Sequence, residues 1–205
     1  MPATAIKQNT LLVFLHGFWF DKTNNHEELE YLALSLWLND YVSFDAPFPS
    51  KRERWGFAWF DIEKDTRKWL LDDWKFKSSI VYIYEKIEKE LVQRHMTRES
   101  VILCWRSQWA CMAIYIWLTS PKKCKAIVSL CGLFHSDLTY KIVHTIPVIR
   151  LEAGKDTMLS EDRKNSYKRL QADGIQVNYL VDETSDHDHI SPQGMQKVAH
   201  ILKNI

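Results

Sequence analysis

Several side chains that can transfer protons or attack carbon follow short apolar runs of the sequence. Ser107 follows Val101 to Cys104, and Asp156 and a histidine pair follow two later runs. A serine hydroxyl becomes an effective nucleophile only when a histidine takes its proton and an acid orients that histidine. Serine, acid and histidine in this chain order therefore form a candidate nucleophile, acid and base. The four positions concerned are Ser107, Asp156, His187 and His189.

The apolar runs predict strands that alternate with amphipathic helices. This alternation is typical of an α/β fold with a mostly parallel, doubly wound sheet and helices on both faces. Ligands bind such sheets at the carboxyl ends of the strands, where the candidate residues lie. The predicted strands are Leu11 to Leu15, Tyr41 to Phe44, Val101 to Cys104, Ala126 to Cys131, Ile146 to Leu151 and Ile175 to Val181. Helices are predicted over Glu27 to Leu38, Ser78 to His95, Ala110 to Leu118, Glu161 to Asp173 and from Ser191 to about Leu202, and Ser50 to Asp61 as an ordered loop.

The composition excludes several classes of protein. The 205 residues predict one domain, and 27 basic against 26 acidic residues give no charge with which to bind nucleic acid. No apolar run approaches the roughly 18 residues that cross a bilayer, so we expect no stable membrane insertion. Because Met1 to Thr10 lacks the apolar core of a signal peptide and the four cysteines lack metal-binding spacing, we expect a cytoplasmic location, buried free thiols and no metal.

Ser107 lies where a strand is predicted to turn into a helix, the position of a nucleophile elbow. The usual elbow pattern is G-x-S-x-G, because side chains at the flanking places collide with neighbouring strands. Here Trp105 and Trp109 occupy both glycine places. Since far smaller insertions into packed regions destabilise by about 1 to 3 kcal/mol, two indoles predict a larger penalty.

Five segments in order carry a resemblance to a known family. They are F-L-H-G-F at 14–18, D-A-P-F-P at 45–49 with A-W-F-D at 58–61, S-Q at 107–108, P-V-I-R-L-E-A-G-K-D at 147–156 and D-H-D-H-I-S-P at 186–192. Together they resemble the phospholipase/carboxylesterase family, small α/β-hydrolases that include the acyl-protein thioesterases. The resemblance covers almost the full length and implies a single α/β-hydrolase domain over residues 1–205.

The resemblance implies a role for each matching residue. Ser107 would be the nucleophile, Asp156 the acid, and either His187 or His189 the base, with His187 slightly favoured by its distance from the preceding strand. The backbone N–H groups of two further residues would form the oxyanion hole, and two aromatic residues would lie beside the acyl pocket. These are Phe18 and Gln108 for the oxyanion hole, and Trp59 and Phe60 for substrate binding.

Several of these residues also have a purely structural interpretation. Ser107 could be an N-cap or turn residue at the junction of a strand and a helix. Asp156 could be a turn residue, and the aromatic cluster that contains Trp59 and Phe60 could be core beneath a loop. His16, which follows the first strand, is interpreted as a structural hydrogen-bonding group rather than a catalyst.

The resemblance implies a serine hydrolase that cleaves carboxylic esters or thioesters of small molecules or acylated proteins, without a cofactor. A rival interpretation is an inactive scaffold that binds a ligand or partner, with Trp105 and Trp109 blocking the elbow. An enzyme similar to dienelactone hydrolase is disfavoured, because that resemblance would place a cysteine at position 107.

The tryptophan content suggests an explanation for the unusual elbow. The chain has 6 Gly and 9 Trp, whereas an average composition of about 7% glycine corresponds to roughly 14. Exchanging eight tryptophans for glycine would restore that number. We hypothesise that many of these tryptophans are UGA codons that the natural genetic code reads as glycine, among them Trp19, Trp105 and Trp109. UGG codons at positions 105 and 109 would refute the hypothesis.

Overall fold

The structure is a computed structural model that describes residues 9–17, 20–38, 41–50, 56–60, 74–107, 110–132, 141–157 and 161–205. Six of its strands pair side by side in one parallel sheet, and two short ones form a separate antiparallel pair. The strands are β1 (Leu11–Leu15), β2 (Val42–Phe44), β3 (Phe48–Pro49), β4 (Phe57–Ala58), β5 (Val101–Arg106), β6 (Ala126–Leu130), β7 (Val148–Ala153) and β8 (Val177–Asp182).

The parallel sheet has the strand order β2-β1-β5-β6-β7-β8. All of its strand pairs are parallel, so the carboxyl ends of the strands share one edge. The inner strands β1, β5, β6 and β7 are buried along their whole length. Burial on both faces explains why they read as continuous apolar runs without alternation.

Helices cover both faces of the sheet. They are α1 (His26–Ser35), α2 (Trp74–Arg94), α3 (Ala110–Thr119), α4 (Glu161–Ala172) and α5 (Pro192–Leu202). One core cluster joins α2, α3 and α4 to the sheet, and the other joins α1 and α5 to its opposite face. No helix in the described part of the chain is both long and apolar enough to cross a membrane. This architecture confirms the predicted α/β fold.

The predicted helices and the predicted strands of the parallel sheet agree with the observed ones except at their ends, whereas the pair β3 and β4 was not predicted. Ser50 to Asp61 was expected to be an ordered loop, but Phe57–Ala58 forms β4 and pairs with β3. Ser50 N–H also donates to Gly56 O at 2.8 Å, which closes this short hairpin. Residues 51–55 and 61 lie outside the described residues.

The end of α1 carries a tryptophan in a conformation that favours glycine. Leu38 N–H donates to Ala33 O at 2.9 Å and Trp37 N–H donates to Leu34 O at 3.0 Å. These two bonds form a Schellman motif, whose first residue after the helix cap adopts the left-handed conformation and is usually glycine. Trp37 has φ 58° there, and its side chain is 76% exposed. The backbone at this position therefore fits the glycine-codon hypothesis.

Candidate active site

Ser107 occupies a tight turn directly after β5. Its φ is 64°, a left-handed value that non-glycine residues adopt only at an energetic penalty. β5 is extended up to Arg106 by pairing with β6, and α3 begins at Ala110. The serine therefore sits between a buried strand and a helix with the strained backbone of a nucleophile elbow. Gln108 and Trp109 lie outside the described residues.

Ser107 is hydrogen-bonded to one of the two predicted histidines. The Oγ of Ser107 lies 3.0 Å from Nε2 of His187, and Nδ1 of His187 lies 2.8 Å from Oδ2 of Asp156. An ionised carboxylate can only accept, so Nδ1–H donates to Asp156 and Nε2 is free to accept the serine proton. The Asp156 side chain is fully buried and that of His187 is 15% exposed. The three groups form one continuous hydrogen-bonded chain.

His189 is not part of this hydrogen-bonded chain of side chains. Its side chain is 65% exposed, and its Nδ1 lies 3.4 Å from Oε1 of Glu28. The two histidines are two residues apart in a loop without regular structure, and only His187 is directed at Ser107. Of the four sequence-predicted catalytic positions, the structure brings together Ser107, Asp156 and His187.

The loop after β1 lies against the serine. A Cβ added to Gly17 would come within 3.9 Å of the Ser107 Cβ, so this loop passes beside the elbow. His16 supports it from below: Nδ1–H donates to Gly17 O at 2.7 Å, and Nε2 accepts from Ala46 N–H at 3.0 Å. Burial lowers the pKa of His16, so the ring stays neutral in this structural role. Phe18, the other predicted oxyanion donor, lies outside the described residues.

The two predicted substrate-binding aromatics are buried. Trp59 is inaccessible, its Nε1–H donates to His16 O at 3.1 Å, and its ring lies 5.4 Å from the His16 ring. Phe60 is 3% exposed and packs edge-on against Phe76. Trp59 thus supports the strand end that leads into the loop beside Ser107, and a contact of either aromatic ring with substrate stays a prediction.

Trp105 packs into the core next to Trp59. Its side chain is inaccessible, and the two indole rings lie 5.7 Å apart at 62°. Among the described residues its Nε1–H has no hydrogen-bond partner, whereas that of Trp59 is bonded. The Nε1–H of Trp117 likewise has no partner among them. An unpaired buried donor is rare in native proteins, so the unpaired N–H groups of Trp105 and Trp117 also fit the hypothesis that glycine belongs at these positions.

The carboxylate of Asp182 is hydrogen-bonded to both ends of the loop that carries His187. Asp182, at the end of β8, accepts hydrogen bonds from the hydroxyls of Ser185, Ser191 and Thr184. Burial alone would raise the pKa of Asp182, but these hydrogen bonds outweigh it and bring the pKa down to about 2. Ser191 also caps α5 by accepting from Gly194 N–H at 3.1 Å. No pattern in the sequence predicts this role of Asp182.

Cys131 lies close to the hydrogen-bonded chain. Its thiol, Asp156 and His187 offer three potential metal-ligand atoms within 4.8 Å of one another. Burial raises the pKa of the Cys131 thiol to about 12, and metals bind the deprotonated thiolate. Because Asp156 and His187 are already bonded to each other, the cluster is better suited to proton transfer than to metal binding. Cys104, Cys124 and Cys131 are all free and buried, as the sequence predicts for the described cysteines.

Two buried charged residues beside the site were likewise not predicted from the sequence. The Arg106 side chain is 1% exposed and that of Glu28 is 6% exposed, and Arg106 Nη2–H donates to Glu28 Oε1 at 3.1 Å. The available signal was an arginine inside an apolar strand directly before Ser107. Because a fully buried arginine is rare unless it is paired, it implies a buried acid nearby.

The sequence matches the family model described as Phospholipase/Carboxylesterase over residues 3–205. The chain belongs to the phospholipase/carboxylesterase family. Membership makes the protein a hydrolase of the carboxylesterase type, and it agrees with the family resemblance found in the sequence. No curated protein matches the sequence significantly.

Solved structures similar to this family member share its fold. The esterase PE8 is 24% identical to this chain with a TM-score of 0.82, and the match covers 100% of this chain and 96% of the PE8 chain. SOBER1 of Arabidopsis thaliana is 16% identical with a TM-score of 0.73, and the match covers 95% of this chain and 98% of the SOBER1 chain. A carboxylesterase from Mesorhizobium loti is 15% identical with a TM-score of 0.75, covering 96% and 90%. These likenesses establish the α/β-hydrolase fold.

Proposed function

We propose that this family member is a serine hydrolase that cleaves carboxylic esters or thioesters through an acyl-enzyme on Ser107. The observation that carries the proposal is the continuous hydrogen-bonded chain from Ser107 Oγ through His187 to Asp156. A serine in a strained turn, an imidazole aimed at its hydroxyl and a buried acid behind the imidazole are the parts that this chemistry requires.

In the first half of the reaction, Ser107 Oγ attacks the carbonyl carbon while His187 Nε2 takes the serine proton. The resulting oxyanion is stabilised by backbone N–H groups, for which we propose Phe18 and Gln108. Collapse of the tetrahedral intermediate breaks the bond to the alcohol or thiol, and His187 returns the proton to that leaving group. Water, deprotonated by His187, then attacks the acyl-enzyme, and the second tetrahedral intermediate collapses with release of the acid while His187 returns the proton to Ser107 Oγ.

Asp156 fixes the tautomer of His187 that makes both halves possible. Its buried carboxylate accepts from Nδ1–H, which leaves Nε2 without a proton and directed at Ser107. The same carboxylate stabilises the imidazolium that forms in each tetrahedral intermediate. We therefore propose Asp156 as the acid and His187, rather than His189, as the base.

A fluorophosphonate probe tests the nucleophile, because it reacts covalently with activated serines. We expect the folded protein to be labelled and Ser107→Ala to lose all labelling at an unchanged circular dichroism spectrum. The two histidines provide a matched pair: His187→Ala should lower the labelling rate by at least about 100-fold, whereas His189→Ala should retain it. Labelling that persists in Ser107→Ala would refute the proposal.

Hydrolysis of p-nitrophenyl esters of increasing chain length, beside a matched thioester series, tests the substrate class. Turnover of either series that depends on Ser107 supports the proposal and reports the preferred acyl length. The same measurements on the double variant Trp105→Gly, Trp109→Gly connect the proposal to the codon hypothesis, which predicts a gain in rate. Absence of Ser107-dependent turnover in both proteins would contradict the proposed function.

A further inference from the structure

A buried ion pair connects the strand that carries Ser107 to the loop that carries His187. Arg106 immediately precedes Ser107 and forms the last residue of β5. Its Nη2–H donates to Glu28 Oε1 at 3.1 Å, and its Nη1–H donates to the backbone carbonyl of His187 at 3.0 Å. One guanidinium therefore contacts the main chain of His187 and an acid on α1 at the same time.

Glu28 extends this connection to the residues that follow His187 in the loop. The same Oε1 atom accepts from Ile190 N–H at 3.1 Å and lies 3.4 Å from His189 Nδ1. The loop is thus held at the carbonyl of His187 by Arg106 and at the N–H of Ile190 by Glu28. Because the His187 carbonyl and the Ile190 N–H bracket residues 188 and 189, the main chain that directly follows the His187 side chain has a fixed position relative to β5 and α1.

We propose that Arg106 and Glu28 are positioning residues that set the distance between Ser107 and His187. This inference rests on the proposed function of Ser107 and His187. The hydrogen bonds to Asp182 connect the end of β8 to the loop and to the start of α5, so they define the shape of the loop itself. The Arg106 contact does something different, because it ties His187 to the residue next to the serine itself. Only the Arg106 side chain lies between the Ser107 backbone and the His187 backbone, so few movable groups separate the two residues.

The energetics favour a positioning role over a stabilising one. Moving two charges out of water carries a desolvation penalty that their mutual attraction only roughly offsets, so apolar residues in place of a buried ion pair often give equal stability. Displacing reacting groups by about 1 Å, in contrast, lowers a rate by as much as about 100-fold. The guanidinium also offers a planar fork that reaches a carboxylate and a carbonyl together, a geometry that a lysine cannot reproduce.

The decisive variant removes both charges and keeps the volume. Arg106→Met alone leaves the Glu28 carboxylate buried without its cation, so both the melting temperature and the activity should fall. In the double variant Glu28→Gln, Arg106→Met no charge is left unpaired, and the glutamine oxygen still accepts from Ile190 N–H. We expect the double variant to regain the melting temperature of the wild type while kcat stays about 10- to 100-fold lower and KM changes less than about twofold.

A purely structural pair would give the opposite result. If the double variant regains both stability and wild-type kcat, the positioning role is overturned. Should the double variant fail to fold, Arg106→Lys decides, since it keeps the charge and loses the fork: a lower kcat at an unchanged melting temperature supports the proposal, and wild-type kcat overturns it. Glu27→Gln is the matched control, because it removes the same charge from an exposed residue in the same turn of α1 and should leave kcat unchanged.

Failure of the proposed function would be visible separately. If the wild type shows no turnover that depends on Ser107, it is the assignment of the nucleophile that fails. Hydrogen exchange of the loop between Asp182 and Ser191 still tests the connection in that case, because it needs no activity. We expect faster amide exchange from 185 to 190 in the double variant than in the wild type and in Glu27→Gln. Equal exchange in all three proteins would overturn the connection.

Discussion

The tryptophan at the end of α1 allows a direct test of whether glycine belongs at a position where the sequence has tryptophan. Trp37 has φ 58°, and any residue with a Cβ adopts this conformation at a penalty of roughly 1 to 2 kcal/mol. Glycine avoids the penalty, but its more flexible unfolded chain offsets about 0.4 to 1 kcal/mol of the gain. We therefore expect Trp37→Gly to be more stable than Trp37→Ala by about 1 kcal/mol.

Comparing glycine with alanine isolates the backbone effect. The indole of Trp37 is largely exposed, and its ring lies 4.5 Å from Lys203 Nζ. That cation–π contact is worth about 0.5 to 1 kcal/mol at an exposed site, and both substitutions lose it equally. The difference between the two variants then reports the left-handed conformation alone.

Thermal and urea unfolding provide the assay. For a chain of this length, about 1 kcal/mol corresponds to a difference in melting temperature of roughly 2 to 4 °C. Val81 serves as a control, because it is 56% exposed and lies in the interior of the helix α2. Glycine is less favourable than alanine in a helix interior by about 1 kcal/mol, so the order of the two variants should reverse at position 81. An alanine variant at position 37 that equals or exceeds the glycine variant in stability would refute the reasoning.

Three further predictions concern buried groups. Trp59→Phe should lower the free energy of unfolding by about 1 to 2 kcal/mol more than Trp105→Phe in urea denaturation, because only Trp59 loses a hydrogen bond while the volume change is the same; equal losses would contradict the assignment of the unpaired N–H. Asp182, with a pKa of about 2 in the folded protein against about 3.9 when unfolded, should stabilise the fold by about 2 kcal/mol above pH 4 and lose this contribution as the pH falls towards 2. The stability gap between the wild type and Asp182→Asn should therefore close over that acid range, and a gap independent of pH would argue against it. Burial raises the pKa of the thiols of Cys104 and Cys131 to about 12, so peptide mapping after iodoacetamide treatment at about pH 8 should find both unmodified in the native protein and alkylated after denaturation.

The central strands could be predicted because burial on both faces leaves a continuous apolar signature. Leu11 to Leu15 agrees with the observed strand at both ends. The strand predicted from Ile146 begins instead at Val148, because Pro147 has no N–H to donate to a neighbouring strand. It continues to Ala153 since Glu152 and Ala153 pair with the end of β8, a partner that is not visible in a local pattern.

The candidate site could be predicted only as far as its residues follow strands. Ser107 lies directly after β5 and Asp156 lies three residues after the end of β7, so their convergence follows from the parallel sheet. The choice between His187 and His189 depends on the path of an irregular loop, which is defined by hydrogen bonds to the nearby Asp182 and to Glu28, a residue 162 positions from Ile190. Arg106 and Glu28 are separated by 78 positions, and spacing alone could not have paired them.

The hydrogen bond between Ser107 and His187 also bears on how the protein folds. It closes a separation of 80 residues, and His187 follows β8, an edge strand of the sheet that pairs with β7 alone among the described strands. Closing a long loop lowers the entropy of the chain before the contact contributes any favourable free energy, so such contacts tend to form slowly. During refolding from denaturant, we expect far-ultraviolet circular dichroism to recover before reactivity towards a serine-directed probe. Recovery of this reactivity would then indicate that the whole sheet, including β8, has assembled in register.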